Sequence, residues 1–302
     1  MQLHGSITAL ATPFDAAGAL DLCAWRTLLD TQLAAGIQGL VVAGSTGEAA
    51  MLSEAEFFTL IECASEAVAG RVPVLAGAGL SGTARTIEQC RRARDAGADA
   101  VLVVTPPYVR PTQEGLRRHF EAVADALDLP VVLYNVPSRT GVDLLPETVA
   151  VLAPHPRIAG IKEAVPDVER MRVLLALRAP GFVVLAGDDG SACAAQLAGA
   201  DGVISVVSNV APTAFVRLGD LARAGDAESA RALDTELAPL YAAMALEPNP
   251  IPVKAILAGL GACQDSLRLP LLPLSSRHRA AAQDAVDLVV RIQARFTHAP
   301  QS

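Results

Sequence analysis

The 302-residue sequence predicts an α/β chain, and within that class a (β/α)8 TIM barrel with a small C-terminal helical appendage. Three observations carry the prediction. Eight short apolar, β-branched runs alternate with longer amphipathic stretches over about 220 residues, enough for a complete barrel. The runs do not alternate polar with apolar residues, as expected of parallel strands buried on both faces. No glycine-rich dinucleotide loop follows the first run, where Thr8-Ala-Leu-Ala-Thr-Pro13 stands, so a doubly wound sheet is the weaker alternative.

The runs cover residues 6–10, 39–43, 73–77, 100–104, 130–134, 158–162, 182–186 and 202–206. Ala35-Gly36, Ala96-Gly97 and Ala198-Gly199 each stand just before a run, where glycine ends the preceding helix. Ser53-Glu-Ala-Glu56 is a capping-box pattern, and Pro146 and Pro212 suit the first turn of a helix. After about residue 224 the strand signals stop. Residues 226–245, 252–260 and 277–296 predict helices, with Glu247-Pro-Asn-Pro-Ile-Pro252 as a stiff connector. The chain therefore divides into a catalytic barrel, 1–224, and a C-terminal helical domain, 225–302, with residues 298–302 expected to fray.

Composition narrows the function. The chain is 52% hydrophobic and 19% charged, with a net charge of -8 and no basic patch interleaved with aromatics. That argues against nucleic acid as a partner. The five cysteines are scattered and odd in number, as in a reducing compartment. The five histidines show no metal-ligand spacing, so neither a metal nor a cofactor is expected. The first residues show no basic segment followed by an apolar stretch, so no signal peptide is expected; with no apolar run long enough to span a bilayer, a cytoplasmic enzyme of small molecules is expected.

Only two lysines, Lys162 and Lys254, stand against 22 arginines. Lys162 lies in the apolar run Ile158-Ala-Gly-Ile-Lys-Glu-Ala164. An amine can lose its proton and attack a carbonyl carbon, which a guanidinium cannot. Burial disfavours the charged form of a lysine. Lys162 is therefore a candidate Schiff-base nucleophile. The plain alternative is a lysine whose stem lies along a strand while its head reaches water.

Barrel chemistry sits at the C-terminal ends of the strands. There the sequence offers Gly44-Ser-Thr-Gly-Glu48, Thr105-Pro-Pro-Tyr108, Tyr134-Asn-Val-Pro-Ser-Arg-Thr-Gly141, Lys162-Glu163 and Gly187-Asp-Asp-Gly190. Singly, each has an ordinary reading: a tight turn, a core tyrosine, a surface arginine, and an Asp188 N-cap, which is preferred to a metal ligand. Their convergence on one rim favours chemistry. Lys162 would attack the ketone of a 2-oxo acid and lose water to give an iminium, whose neighbouring carbon then deprotonates to an enamine. Ser45 and Thr46 would take the carboxylate, Tyr134 would move protons, and Arg139 would hold a second carboxylate.

Together these motifs resemble the dihydrodipicolinate synthase and N-acetylneuraminate lyase superfamily, over roughly residues 3 to 295. Val136-Pro-Ser-Arg-Thr-Gly141 is similar to the synthase branch, as are Glu247-Pro-Asn-Pro-Ile-Pro-Val-Lys254 and Leu267-Arg-Leu-Pro270. The resemblance implies condensation of pyruvate with aspartate 4-semialdehyde to 4-hydroxy-tetrahydrodipicolinate, toward diaminopimelate and lysine. It makes Lys162 the Schiff base and Tyr134 the proton donor and acceptor. Ser45 and Tyr108 complete a proton relay, with Tyr108 supplied by the adjacent subunit of a tight dimer. Thr46 and Ser45 take the pyruvate carboxylate, Arg139 the semialdehyde carboxylate, and Gly187 and Ile204 line the pocket. It also implies a homotetramer of tight dimers, and gives Lys254 no catalytic role.

Three features depart from the synthase pattern. Ser45 replaces threonine and Pro107 replaces a tyrosine. In lysine-inhibited members, polar groups line an allosteric cleft where this chain has Ala49, Glu54, Phe57, Ser81, Arg85 and Pro107. Arg85 replaces a glutamate that would pair with an effector amine, which predicts insensitivity to lysine. Two rivals remain: an aldolase of the same superfamily acting on a sugar acid or hydroxy acid, and a non-catalytic metabolite-binding barrel.

Overall fold

The computed structural model describes residues 2–297; the tail 298–302, expected to fray, lies outside them. Eight parallel strands close into a barrel in sequence order. They are β1 (Gly5–Ala9), β2 (Gly39–Val42), β3 (Val74–Ala78), β4 (Ala100–Val104), β5 (Val131–Asn135), β6 (Ile158–Glu163), β7 (Val183–Ala186) and β8 (Gly202–Ser205). Each of the eight runs becomes a strand, with ends within a residue of expectation. β8 closes on β1, with Ile7 opposite Ile204. A Cβ on Gly202 would lie 2.2 Å from the Gly5 carbonyl oxygen, so only glycine permits this approach.

The strands divide their side chains between two layers, because successive residues face opposite ways. Ile7, Val41, Leu75, Leu102, Val132, Leu185 and Ile204 fill the barrel. Leu40, Val42, Val101, Leu133, Ile161 and Val184 face the surrounding helices. Both faces are dry, which explains the unbroken apolar runs.

The helix boundaries follow the local signals. Ser53 and Glu56 form the capping box of helix Glu54–Val68. Pro146 and Pro212 open helices Pro146–Leu152 and Pro212–Arg223. Gly36, Gly97 and Gly199 follow their helices with φ of 78°, 93° and 109°, the left-handed exit that glycine permits. Helices Ala227–Met244, Ile251–Gly259 and Arg279–Thr297 succeed β8. Leu237, Leu240, Val253, Ile256 and Val289 join the same outer core as Trp25 and Phe57. All five cysteines are free. No helix among the described residues is long and apolar enough to cross a membrane.

Candidate active site

Lys162 and Tyr134 are in register near the C-terminal ends of β6 and β5. Residues in register on parallel neighbours point the same way, and Tyr134 packs in the inner layer with Ile204. Lys162 Nζ lies 4.4 Å from the centroid of the Tyr134 ring. The two side chains are 5% and 8% exposed, so the amine is nearly dry but not sealed. Among the described residues no carboxylate pairs with Lys162, whereas Lys254 Nζ sits 2.6 Å from Glu48 Oε1. Gly187 follows β7 beside Lys162. A Cβ there would stand 3.0 Å from Lys162 Cε and from the Glu163 carbonyl, so glycine leaves the amine its room.

The segment after β2 makes the opposite rim. Gly47 N donates to the Gly44 carbonyl and Glu48 N to that of Ser45, forming a tight turn. Two non-glycine residues in the left-handed region, Ala43 (φ 53°) and Glu48 (φ 56°), bracket it. Such strain persists only where surrounding structure enforces it, and it clusters at functional sites. The enforcement is visible. Thr12 Oγ1 donates to the Gly47 carbonyl at 2.7 Å. Glu48, fully buried, accepts from Lys254 Nζ and from the Arg268 amide at 3.1 Å. Burial pushes Lys254 below its ordinary value, opposed by the Glu48 carboxylate.

Thr46 is buried, and its Oγ1 accepts from Asn249 Nδ2 at 2.9 Å. The Asn249 carbonyl accepts from an Arg139 guanidinium nitrogen at 3.0 Å. One residue thus joins the turn expected to hold one carboxylate to the arginine expected to hold the other. Arg139 lies in the short helix Pro137–Thr140 and is exposed. Ser45 is half-buried; no hydrogen bond joins its hydroxyl to Tyr134 among the described residues.

Tyr108 points elsewhere. It is 92% exposed and adopts φ of 73°, beside Arg110 at 48°. Its amide donates to the Thr140 carbonyl at 3.3 Å, and Ser81 Oγ donates to the Pro107 carbonyl at 2.9 Å. A tyrosine held out in a strained conformation suits contact with another molecule rather than with its own barrel. Asp188 caps helix Asp189–Leu197 by accepting from the Ser191 amide, as expected. The buried Asp189 carboxylate accepts from the Val206 and Val207 amides, and burial raises its pKa.

With this geometry in place, comparison with known proteins is decisive. The profile of the Dihydrodipicolinate synthetase family matches residues 2–288. The chain belongs to that family. Membership makes it an enzyme. A curated relative from Xanthomonas campestris pv. campestris, 4-hydroxy-tetrahydrodipicolinate synthase, is 60% identical over 97% of both chains. Among solved structures, the chloride-inhibited dihydrodipicolinate synthase from Acinetobacter baumannii, complexed with pyruvate, superposes with a TM-score of 0.94. It is 40% identical, over 96% of this chain and 99% of its own. The lysine-bound dihydrodipicolinate synthase of Cyanidioschyzon merolae gives 0.91 at 34% identity, over 95% and 98%.

Sequence reasoning overlooked Asn249, the Glu48–Lys254 pair and the partners of Glu163. Asn249 and Lys254 come from beyond the barrel, and only the place of Asn249 in a stiff Pro-rich connector hinted at a role. A second lysine in a nearly lysine-free chain was the clearest available signal.

Proposed function

We propose that the chain is a Schiff-base-forming synthase that condenses pyruvate with L-aspartate 4-semialdehyde to 4-hydroxy-tetrahydrodipicolinate in the cytoplasm. The observation that carries this reading is the nearly dry, unpaired Lys162 amine over the Tyr134 ring, facing the barrel mouth. The names of the relatives and the pyruvate complex of the Acinetobacter protein support the substrates.

The neutral amine adds to pyruvate C2, and the carbonyl oxygen leaves as water once protonated. Tyr134, whose ring lies 4.4 Å from the amine, passes that proton. The iminium draws electrons from C3, which loses a proton and becomes an enamine. The enamine carbon then bonds to the aldehyde carbon of the semialdehyde, whose oxygen takes up a proton to become the 4-hydroxyl while the iminium at C2 re-forms. The semialdehyde amine displaces Lys162 at C2, which closes the ring and frees the enzyme. Thr46 accepts from Asn249, which leaves its own proton free to donate to the pyruvate carboxylate. Ser45 shares that carboxylate and the relay, Arg139 takes the semialdehyde carboxylate, and Gly187 and Ile204 shape the pocket. Tyr108 completes the relay from the adjacent subunit of a tight dimer, two of which form a homotetramer. Residues 1–224 are the catalytic barrel and 225–302 the helical domain.

Insensitivity to lysine belongs to the same proposal. Arg85 is exposed and presents a cation to a cationic effector, while Phe57 is buried and presents no polar group. Half-inhibition by sub-millimolar lysine would sink this part.

Borohydride trapping tests the whole. Wild-type enzyme with pyruvate should gain a stable mass on the peptide holding Lys162, and Lys162→Arg should gain none. Assays with aspartate semialdehyde, N-acetylneuraminate and 2-keto-3-deoxygluconate should show turnover only with the semialdehyde.

A further inference from the structure

Glu163 and Asn135 follow Lys162 and Tyr134 on the same two strands, again in register. They face the outer wall of the barrel. Both are at most 1% exposed. Asn135 Nδ2 donates to both Glu163 oxygens at 3.1 Å and to Asp143 Oδ1 at 2.8 Å. Arg170, in helix Val168–Leu175, donates to Glu163 Oε2 at 2.7 Å. Its other two nitrogens fork onto the Asp143 oxygens at 2.9 and 2.8 Å. The Val165 amide donates to Glu163 Oε1 at 2.8 Å, and the Leu144 amide to Asn135 Oδ1 at 2.9 Å.

Packing alone does not ask for charge here. Ile161 and Leu133, one step earlier on the same wall, are apolar and meet the outer core. A buried ion pair is a poor source of stability compared with a well-packed apolar residue. Burial indeed pushes the Glu163 carboxyl up, against the pull of its amide donors and Arg170. What a carboxylate does at 163, and an isoleucine cannot, is grip three things at once. It holds the strand of Tyr134 through Asn135 and its own helix through Arg170. Through Arg170 it also holds Asp143, just past the helix that carries Arg139.

We propose that Glu163 is a positioning residue, whose grip on Asn135 and Arg170 holds the Lys162 amine and the Tyr134 ring at their working separation. The proposal rests on the reading of Lys162 as the Schiff-base nucleophile.

Glu163→Gln tests it. The glutamine keeps one oxygen for Asn135 Nδ2, but its amide nitrogen confronts either Arg170 Nε or the Val165 amide donor to donor, so one arm of the grip is broken while Arg170 keeps Asp143. Rapid-quench borohydride trapping, followed by mass spectrometry of the Lys162 peptide, yields two quantities: the maximal rate of adduct formation and the pyruvate concentration giving half that rate. The maximal rate should fall about tenfold or more, because small misplacements of reacting groups are costly. The half-saturating concentration should stay within about twofold, since the carboxylate turn follows β2 and is not touched. A folded Glu163→Gln enzyme with the wild-type maximal rate overturns the proposal. So does a loss lying wholly in half-saturation. Should Glu163→Gln not fold, Asp143→Asn on the half-buried arm should still lower the same maximal rate, and an unchanged rate there counts against the proposal. Wild-type enzyme that traps no pyruvate on Lys162 removes the Schiff-base reading itself, and this inference with it.

Discussion

The roles proposed for Lys162 and Tyr134 need chemistry that neighbouring residue types cannot supply. Tyr134→Phe keeps the ring beneath the amine but removes the transferable proton. Its turnover should fall about 10²- to 10⁴-fold while trapping of pyruvate on Lys162 persists at long times. Arg139→Ala should leave half-saturation by pyruvate unchanged and raise that for the semialdehyde about tenfold to a hundredfold, the worth of one charge-assisted contact. Steady-state kinetics with each substrate varied in turn checks both. At this scale the sequence was legible where strand ends present side chains to the mouth. It was silent about Asn249, because the Thr46 contact spans 203 positions and nothing local marks it.

The turn after β2 shows how one element depends on another remote in sequence. Glu48 occupies a left-handed conformation, and its carboxylate is held by Lys254 from helix Ile251–Gly259. Both side chains are fully buried. Lys254→Met should cost about 3–5 kcal/mol, because it leaves the buried Glu48 charge without its counter-charge. Adding Glu48→Gln should recover much of that loss, and urea unfolding of the two variants checks the difference. The resemblance gave Lys254 no catalytic role, and the structure gives it a structural one. The strands themselves were legible to within a residue, because dry burial on both faces writes continuous apolar runs. The short helix Pro137–Thr140 was not, since Tyr134-Asn-Val-Pro-Ser-Arg-Thr-Gly141 carries no periodicity long enough to read.

Across the whole molecule, Arg268 ties the C-terminal segment to the barrel. It donates to the Gly18 and Met51 carbonyls and to both Glu56 oxygens. That guanidinium holds the Glu56 carboxyl at about 2, well below its ordinary 4.5. A depressed carboxylate contributes stability that is present above the ordinary value and is lost as pH falls toward the depressed one. The urea midpoint should therefore fall with acidity across that window, and Glu56→Gln should flatten the fall. Assembly is testable through Tyr108. Tyr108→Ala and Lys162→Ala should each be inactive alone. Mixed and reassociated, they should regain activity, because a hybrid dimer holds one site with both groups intact. No recovery from hybrids shown to form would remove the shared-site arrangement.

By itself the sequence determined the barrel, the order of its strands, the caps of several helices and the amine proposed to make the attack. These follow from local causes: runs of apolar residues, turn and cap chemistry, and the properties of a single side chain. Tertiary structure alone decided what holds the site in place. Asn249 reaches back to Thr46, Lys254 neutralises Glu48, and Asn135 and Arg170 grip Glu163 behind Lys162. Such contacts join residues distant along the chain, and they exist only once closure of the barrel has brought those residues within hydrogen-bonding distance.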